Sequence, residues 1–238
     1  MMHPVDLRLV QFGHVLCRNG ADLDLAQAAL FLAEPEYPGL DIVRYTQQLD
    51  VLAGQVRSAL VAETRPQYQA LTVLRVLAQN GFHNEPCDYD DPQACFLNHV
   101  MDVKHGLPLL LGIIAIEVAR RCGVPLQGVA FPGQFLLCTE GSSNRHFFYF
   151  DPATFRSLSA EDLQTLLHRS TGKKRPLQRR DLAHADKNTI LARLLSHLRS
   201  LYLRQDDYPR FEFAAVRLRL LENHVPALAG EQSTQLVH

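Results

Sequence analysis

The side chains best equipped for covalent chemistry in this chain are its thiols and imidazoles. Cysteines stand at Cys17, Cys87, Cys95, Cys122 and Cys138. Cys95 and His99 lie four apart in "ACFLNHV", a spacing that on one helix brings a thiol and an imidazole together as nucleophile and base. Cys138 and His146 flank the turn "GSSNR", where antiparallel strands could set them face to face. Core packing is the alternative for both pairs, because free cysteine is among the most buried residue types. Cys87, Cys95, His99 and His105 show neither a C-x-x-C nor an H-x-x-x-H repeat, so no metal site is expected from them. An odd cysteine count at irregular spacing, in a chain large enough to need no staples, points to reduced thiols.

The elements that must position these groups are mostly helical at first. "DLDLAQAALFLAEPEYPGLD" places Leu23, Ala26, Leu30 and Phe31 on one face and stops at Pro35, Pro38 and Gly39. From Asp41 onward, Ile42, Tyr45, Leu49, Leu52, Val56 and Leu60 recur at three and four, and "PQYQALTVLRVLAQNG" repeats the pattern to an Asn80-Gly81 stop. Asp91 as N-cap, Pro92 at the first helical position and Gly106 as terminator predict a short helix over about 92–104. "PLLLGIIAIEVARRCG" is apolar almost all round until Glu117, Arg120 and Arg121, the pattern of a helix at the centre of a domain. The period then changes: "PLQGVAFPGQFLLCTE" and "HFFYFDP" read as two antiparallel strands.

Ser159 and Asp162 in "LSAEDLQTLLHR" form a near capping box for the next helix. Residues 169–181 are a basic linker or an anion-binding loop, with Lys173, Lys174, Arg175, Arg179 and Arg180 as the contact residues of the second reading. Two amphipathic helices split at "QDDYP" follow and must dock on the rest of the chain, and the tail after Pro226 has no pattern to hold it down.

Composition limits the function. With 238 residues and 47% hydrophobic content the chain can bury a sizeable core. A formal net charge of −1 argues against a surface devoted to nucleic acid. Neither a leader-like start nor a run of about eighteen apolar residues occurs, so a soluble, cytoplasmic protein is expected, with no membrane contact.

The segments "EYPGLDI", "NGFHNEPCDYDDPQACFLNHVMDVKHGLPLLLGIIAIEVARRCGVPLQGVAFPGQFLL", "YFDP" with "LSAEDL", and "LYLRQDDYPR" carry a resemblance. Together they look like the papain-like transglutaminase core, and more closely like the bacterial SirB-type family, a transglutaminase-like domain followed by tetratricopeptide-like helices. That resemblance implies a thiolate at the start of the buried helix, a histidine on the next strand and an aspartate on the strand after it. A helix N-terminus lowers a thiol pKa, and the histidine holds the thiolate and later delivers a proton. Here the nucleophile position falls at Pro108, or at Leu107 or Leu109 with a shift of one, and the histidine position at Gln134 of "FPGQF", where many members resemble "PGHF". Proline has no nucleophilic atom, and an amide has no proton to exchange near neutral pH. Only Asp151 of the implied triad is present, and its alternative reading is a strand-end turn with Pro152.

The fold expected is therefore α+β: a helical N-terminal layer, a buried central helix against a small antiparallel sheet, and a C-terminal tetratricopeptide-like helix pair. The segments are 1–168 for the transglutaminase-like domain, 169–181 for the linker, 182–225 for the helical hairpin and 226–238 for the tail. The leading function is a non-catalytic, protein-binding or regulatory module whose degenerate cleft involves Asn98, His99, Gly106, Phe131, Pro132, Gly133 and His146 beside Gln134 and Asp151. The rival is a cysteine hydrolase or acyl transferase with its thiol moved to Cys95 or Cys138 and its base to His99, His105 or His146. No cofactor is expected; a protein partner is.

Overall fold

The computed structural model describes residues 12–13, 23–142 and 146–224. The expected C-terminal tail, Cys17 and most of the "GSSNR" turn lie outside them. Helix α1 (Leu25–Ala33) starts at Asp24, whose carboxylate accepts the Gln27 N–H at 2.8 Å. Helix α2 (Ile42–Ala59) is capped by Asp41 and buries Tyr45, Leu49, Leu52 and Val56 along the stripe that the three-and-four spacing predicts. Helix α3 (Pro66–Gln79) opens on proline, whose missing N–H would have been unpaired there in any case.

The single helix expected over 92–104 is two pieces. Asp91 accepts the Gln93 N–H and opens a 3-10 turn over Pro92–Cys95; Phe96 is then extended, and α4 occupies only Leu97–Val103. The break buries Phe96 edge-on against the Tyr37 ring, with centroids 5.8 Å apart. It also separates Cys95 from His99, so the two do not share a helix.

Helix α5 (Pro108–Cys122) runs through the centre and ends at Gly123, whose φ of +71° is the left-handed conformation that closes a helix. Glu117 is the residue at which the apolar run of this helix ends. It is fully buried, accepting the Leu25 N–H at 3.1 Å and bonds from Arg120 at 2.7 Å and Arg121 at 2.6 Å. Leaving that carboxylate unpaired would be costly, so two arginines accompany it.

The sheet has five antiparallel strands, not two: β1 (Gln127–Val129), β2 (Leu136–Glu140), β3 (Phe147–Asp151), β4 (Arg156–Leu158) and β5 (His184–Ala185), in the order β4-β3-β2-β1-β5. The three additional strands are too short to show a period of two, and their pairing is fixed by the longer neighbours. Along β2 the alternation is clean. Leu137 faces the main core with α5, while Leu136 and Cys138 face a second cluster with Val129, Phe131 and helix α6 (Ala160–Thr171).

Helix α6 opens with the full Ser159–Asp162 capping box and continues to Thr171, past the expected boundary at 168. The basic segment is then tied back. Gln164 donates to the Arg175 carbonyl and accepts the Leu177 N–H, and Arg175 grips Asp181 with two bonds of 2.6 Å. Helix α7 (Lys187–Arg204) buries Leu191, Leu194, Leu195 and Leu198 completely and pairs with α8 (Tyr208–His224) across a short turn. It also packs on α1, on β5 and on the Pro92–Cys95 turn, so the helix pair is docked on the domain. No helix among the described residues is long and apolar enough to cross a membrane.

Candidate functional site

The N-terminal end of α5 opens into a cleft of about 480 Å³, the size of a small-molecule site. Its wall contains Leu107, Pro108 and Leu109 from the helix start, Gly133, Gln134 and Phe135 from the turn before β2, and Asp151 from the end of β3. Positions 108, 134 and 151, far apart in sequence, are thus brought together. Helix α6 adds Leu166 and Arg169, and α7 adds Arg193, Ser196, His197 and Ser200.

Local sequence chemistry explains each placement. Pro108 sets φ for the first turn of α5, while its N-cap, Leu107, offers no side-chain acceptor. The "FPGQF" turn is closed by the Gln134 N–H donating to the Phe131 carbonyl, with Gly133 at a φ of +71°. A side chain at Gly133 would also strike Ser170, since its Cβ would lie 2.7 Å from the Ser170 Cβ. Phe131 is fully buried, and its carbonyl receives the Arg193 Nη1 at 3.2 Å, which fixes the turn to α7.

Asp151 lines the cleft and also holds its own turn, so the two readings of this residue are not exclusive. One oxygen accepts the Ala153 N–H at 2.8 Å and the other the Thr154 hydroxyl at 2.9 Å. It forms no ion pair with either cleft arginine.

The remaining sequence candidates fall elsewhere. Asn98 is buried with its Oδ1 unpartnered, and the loop carrying Gly106 is bonded by Asn84, whose Nδ2 donates to the Gly106 carbonyl at 3.1 Å. Gly106 is a packing glycine: its Cβ would lie 2.4 Å from a Val100 methyl. His99 is half-buried outside the cleft, and His105 bridges to His83. His146 packs edge-on against Phe148, and the β2–β3 register sets Tyr149, not His146, opposite Cys138. Pro132 is half-buried in the turn.

Neither proposed replacement thiol reaches the cleft. Cys95 is 1% exposed in the main core, and Cys138 is completely buried in the second cluster, where burial pushes its thiol up to about 12. A thiol so raised is not a nucleophile at neutral pH. Of the basic segment, Arg175 is spent on Asp181, while Lys173, Lys174, Arg179 and Arg180 are exposed. Among the described residues, no three His, Cys, Asp or Glu side chains converge as a metal-ligand set.

Arg169, Arg193 and His197 are among the cleft residues that the sequence did not single out. In "ILARLLSHLRSL", Arg193, Ser196, His197 and Ser200 recur at helical spacing, a visible polar stripe. What the sequence lacked was any sign that this stripe faces the start of α5. His197 Nε2 is buried without a hydrogen-bond partner. Burial, then the charges of Arg204 and Arg193, hold its imidazole below the usual histidine range, with Asp90 opposing.

A buried helix whose N-terminus faces a turn and an aspartate-ended strand across a cleft is the layout of the transglutaminase class, and sequence comparison agrees. The chain belongs to the transglutaminase-like superfamily, whose family profile matches residues 43–196, from α2 into α7. It is similar to a UPF0162 protein of Pseudomonas aeruginosa, 35% identical over 182 residues that cover 75% of this chain and 64% of that protein. A UPF0162 protein of Xylella fastidiosa is 34% identical over 87% of this chain and 75% of its own length. One of Vibrio cholerae is 30% identical over 81% of this chain and 72% of its own length. No solved structure matches the chain.

Proposed function

We propose that this protein is a non-catalytic, SirB-type member of its superfamily that works by binding, with the former active-site cleft as its ligand or partner site. One observation supports the reading: Pro108 and Gln134, at the positions that the resemblance assigns to the thiol and the imidazole, line the cleft together with Asp151. Pro108 suits the first turn of a helix, and Gln134 can donate and accept hydrogen bonds but cannot carry a proton between reactants. The docked helix pair, read as one tetratricopeptide-like unit, supplies the α7 wall of the cleft and adds a second surface for a protein partner. A cytoplasmic setting with reduced thiols fits the cysteine pattern.

The test is brief alkylation of the native, reduced protein with a low dose of iodoacetamide near pH 6, read by mass spectrometry against a denatured control. All cysteines are expected to react slowly. A single cysteine labelled far ahead of the denatured rate would overturn the non-catalytic reading and return the relocated thiol.

A further inference from the structure

The cleft holds more positive charge than its own carboxylate can match. Arg193 projects from α7 into the wall, and its one hydrogen bond goes to the Phe131 carbonyl. A guanidinium has five donor hydrogens, so most of its capacity is unused. Elsewhere in the described residues, two partly buried arginines do have carboxylates: Arg121 has Glu117 and Arg175 has Asp181. Arg193 makes no ion pair, and burial alone depresses its pKa, as expected for a cation removed from water without a counter-charge.

Arg169, on the α6 wall, is exposed and likewise makes no ion pair. Asp151 makes an ion pair with neither arginine, its oxygens accept bonds within the turn after β3, and its single negative charge is outnumbered by the two guanidiniums. Two further features point the same way. His197 Nε2 is buried and unpartnered on the cleft wall, one turn from Arg193. The cleft also lies at the N-terminal end of the 15-residue α5, where no side chain caps the first turn and the helix dipole favours negative charge.

We infer that the cleft is an oxyanion-binding site, in which Arg193 and Arg169 clamp a carboxylate or phosphate group of the ligand, with His197 and the start of α5 completing the cradle. A cavity of about 480 Å³ suits a small organic acid or phosphate, or one acidic side chain of a partner, in place of a broad docking surface. This rests on the reading of the cleft as a binding site and names the chemistry of its ligand.

The experiment is isothermal titration of the full chain, at low ionic strength, with inorganic phosphate, glutarate, a blocked triglutamate peptide and the uncharged analogue glutaramide. At least one anion is expected to bind saturably, and glutaramide is not. Arg193→Gln and Arg169→Gln are each expected to weaken that binding by about 10- to 100-fold, the range for losing a charge-assisted contact. Lys173→Gln, on the exposed basic segment, leaves it unchanged. Arg169 is exposed, so its variant keeps the test alive if Arg193→Gln fails to fold. Preference for glutarate or phosphate assigns a free small acid; preference for the peptide assigns an acidic partner segment.

No saturable anion binding at about 10 mM, equal binding of glutaramide, or loss in Lys173→Gln but not in Arg169→Gln overturns the inference. Glutaramide bound as well as glutarate would leave a binding cleft without an anion site. Rapid alkylation of one cysteine would remove the non-catalytic reading while leaving the anion data intact.

Discussion

Replacing Gly112 by alanine should destabilise this protein, against the usual sign for a helix. Gly112 sits inside α5, where alanine is ordinarily favoured over glycine by about 1 kcal/mol. Here a Cβ at Gly112 would lie 2.4 Å from Cε1 and 2.7 Å from Cδ1 of Phe135. The ring cannot simply retreat, because its far side rests on Gly128 of β1, whose own Cβ would lie 2.7 Å from Phe135 Cζ. Two glycines thus form the slot for one aromatic ring that is 4% exposed and adjoins Gln134. Overpacking of this kind costs about 1–3 kcal/mol, so after the helix gain the net loss should be about 0–2 kcal/mol. Urea denaturation would show it as a lower midpoint at an unchanged slope. Phe135→Leu removes the obstructing ring edge, so in that background Gly112→Ala should recover its ordinary sign, giving a coupling of about 1–3 kcal/mol. A higher midpoint for Gly112→Ala alone, or strict additivity in the double variant, would refute the slot.

Two further outcomes follow from buried polar groups. Glu117→Ala removes the acceptor shared by the Leu25 N–H, Arg120 and Arg121, and should cost about 3–5 kcal/mol in urea denaturation, with Glu117→Gln losing less. A loss no larger than that of an ordinary surface substitution would show that the cluster is not anchoring α1 to α5. His197 resists protonation in the folded state, through burial and the charges of Arg204 and Arg193 against that of Asp90, while the unfolded chain takes up the proton near the ordinary histidine value. The unfolded state therefore binds more protons below about pH 6.5, and the stability that neutral His197 contributes above that pH is lost as the pH falls toward its lower folded value. Thermal melts of His197→Gln across this range should show a shallower acid loss than the native chain; identical slopes would mean that His197 titrates as if unfolded.

The local grammar of this chain was readable residue by residue. Asp41 and Gly123 mark helix ends, Ser159 with Asp162 closes a capping box, and the stripe from Tyr45 to Val56 turns inward as its spacing requires. These signals act within one or two turns, so no distant partner is needed to express them. The strands were legible only where five residues allow alternation, as in β2 and β3; the two- and three-residue strands exist because a neighbour offers them a register. The three positions that the family resemblance assigns to a triad, Pro108, Gln134 and Asp151, line one cleft.

What only the tertiary structure decided is what surrounds those three positions and which polar groups are buried. Burial of Cys95 and Cys138 depends on which side of a turn or sheet each faces, and the break at Phe96 parted Cys95 from His99 for the sake of packing on Tyr37. Glu117 stands where the apolar run of α5 ends, and only the tertiary structure shows it buried, paired with Arg120 and Arg121 and bonded to the Leu25 N–H of α1. Arg169, Arg193 and His197 reach the cleft because α6 and α7 dock around the start of α5. Their sequence spacing says that they share a helix face, but not what that face meets. That difference arises because periodicity is a property of one element, whereas the charge and solvation of a cleft depend on several elements distant in the chain.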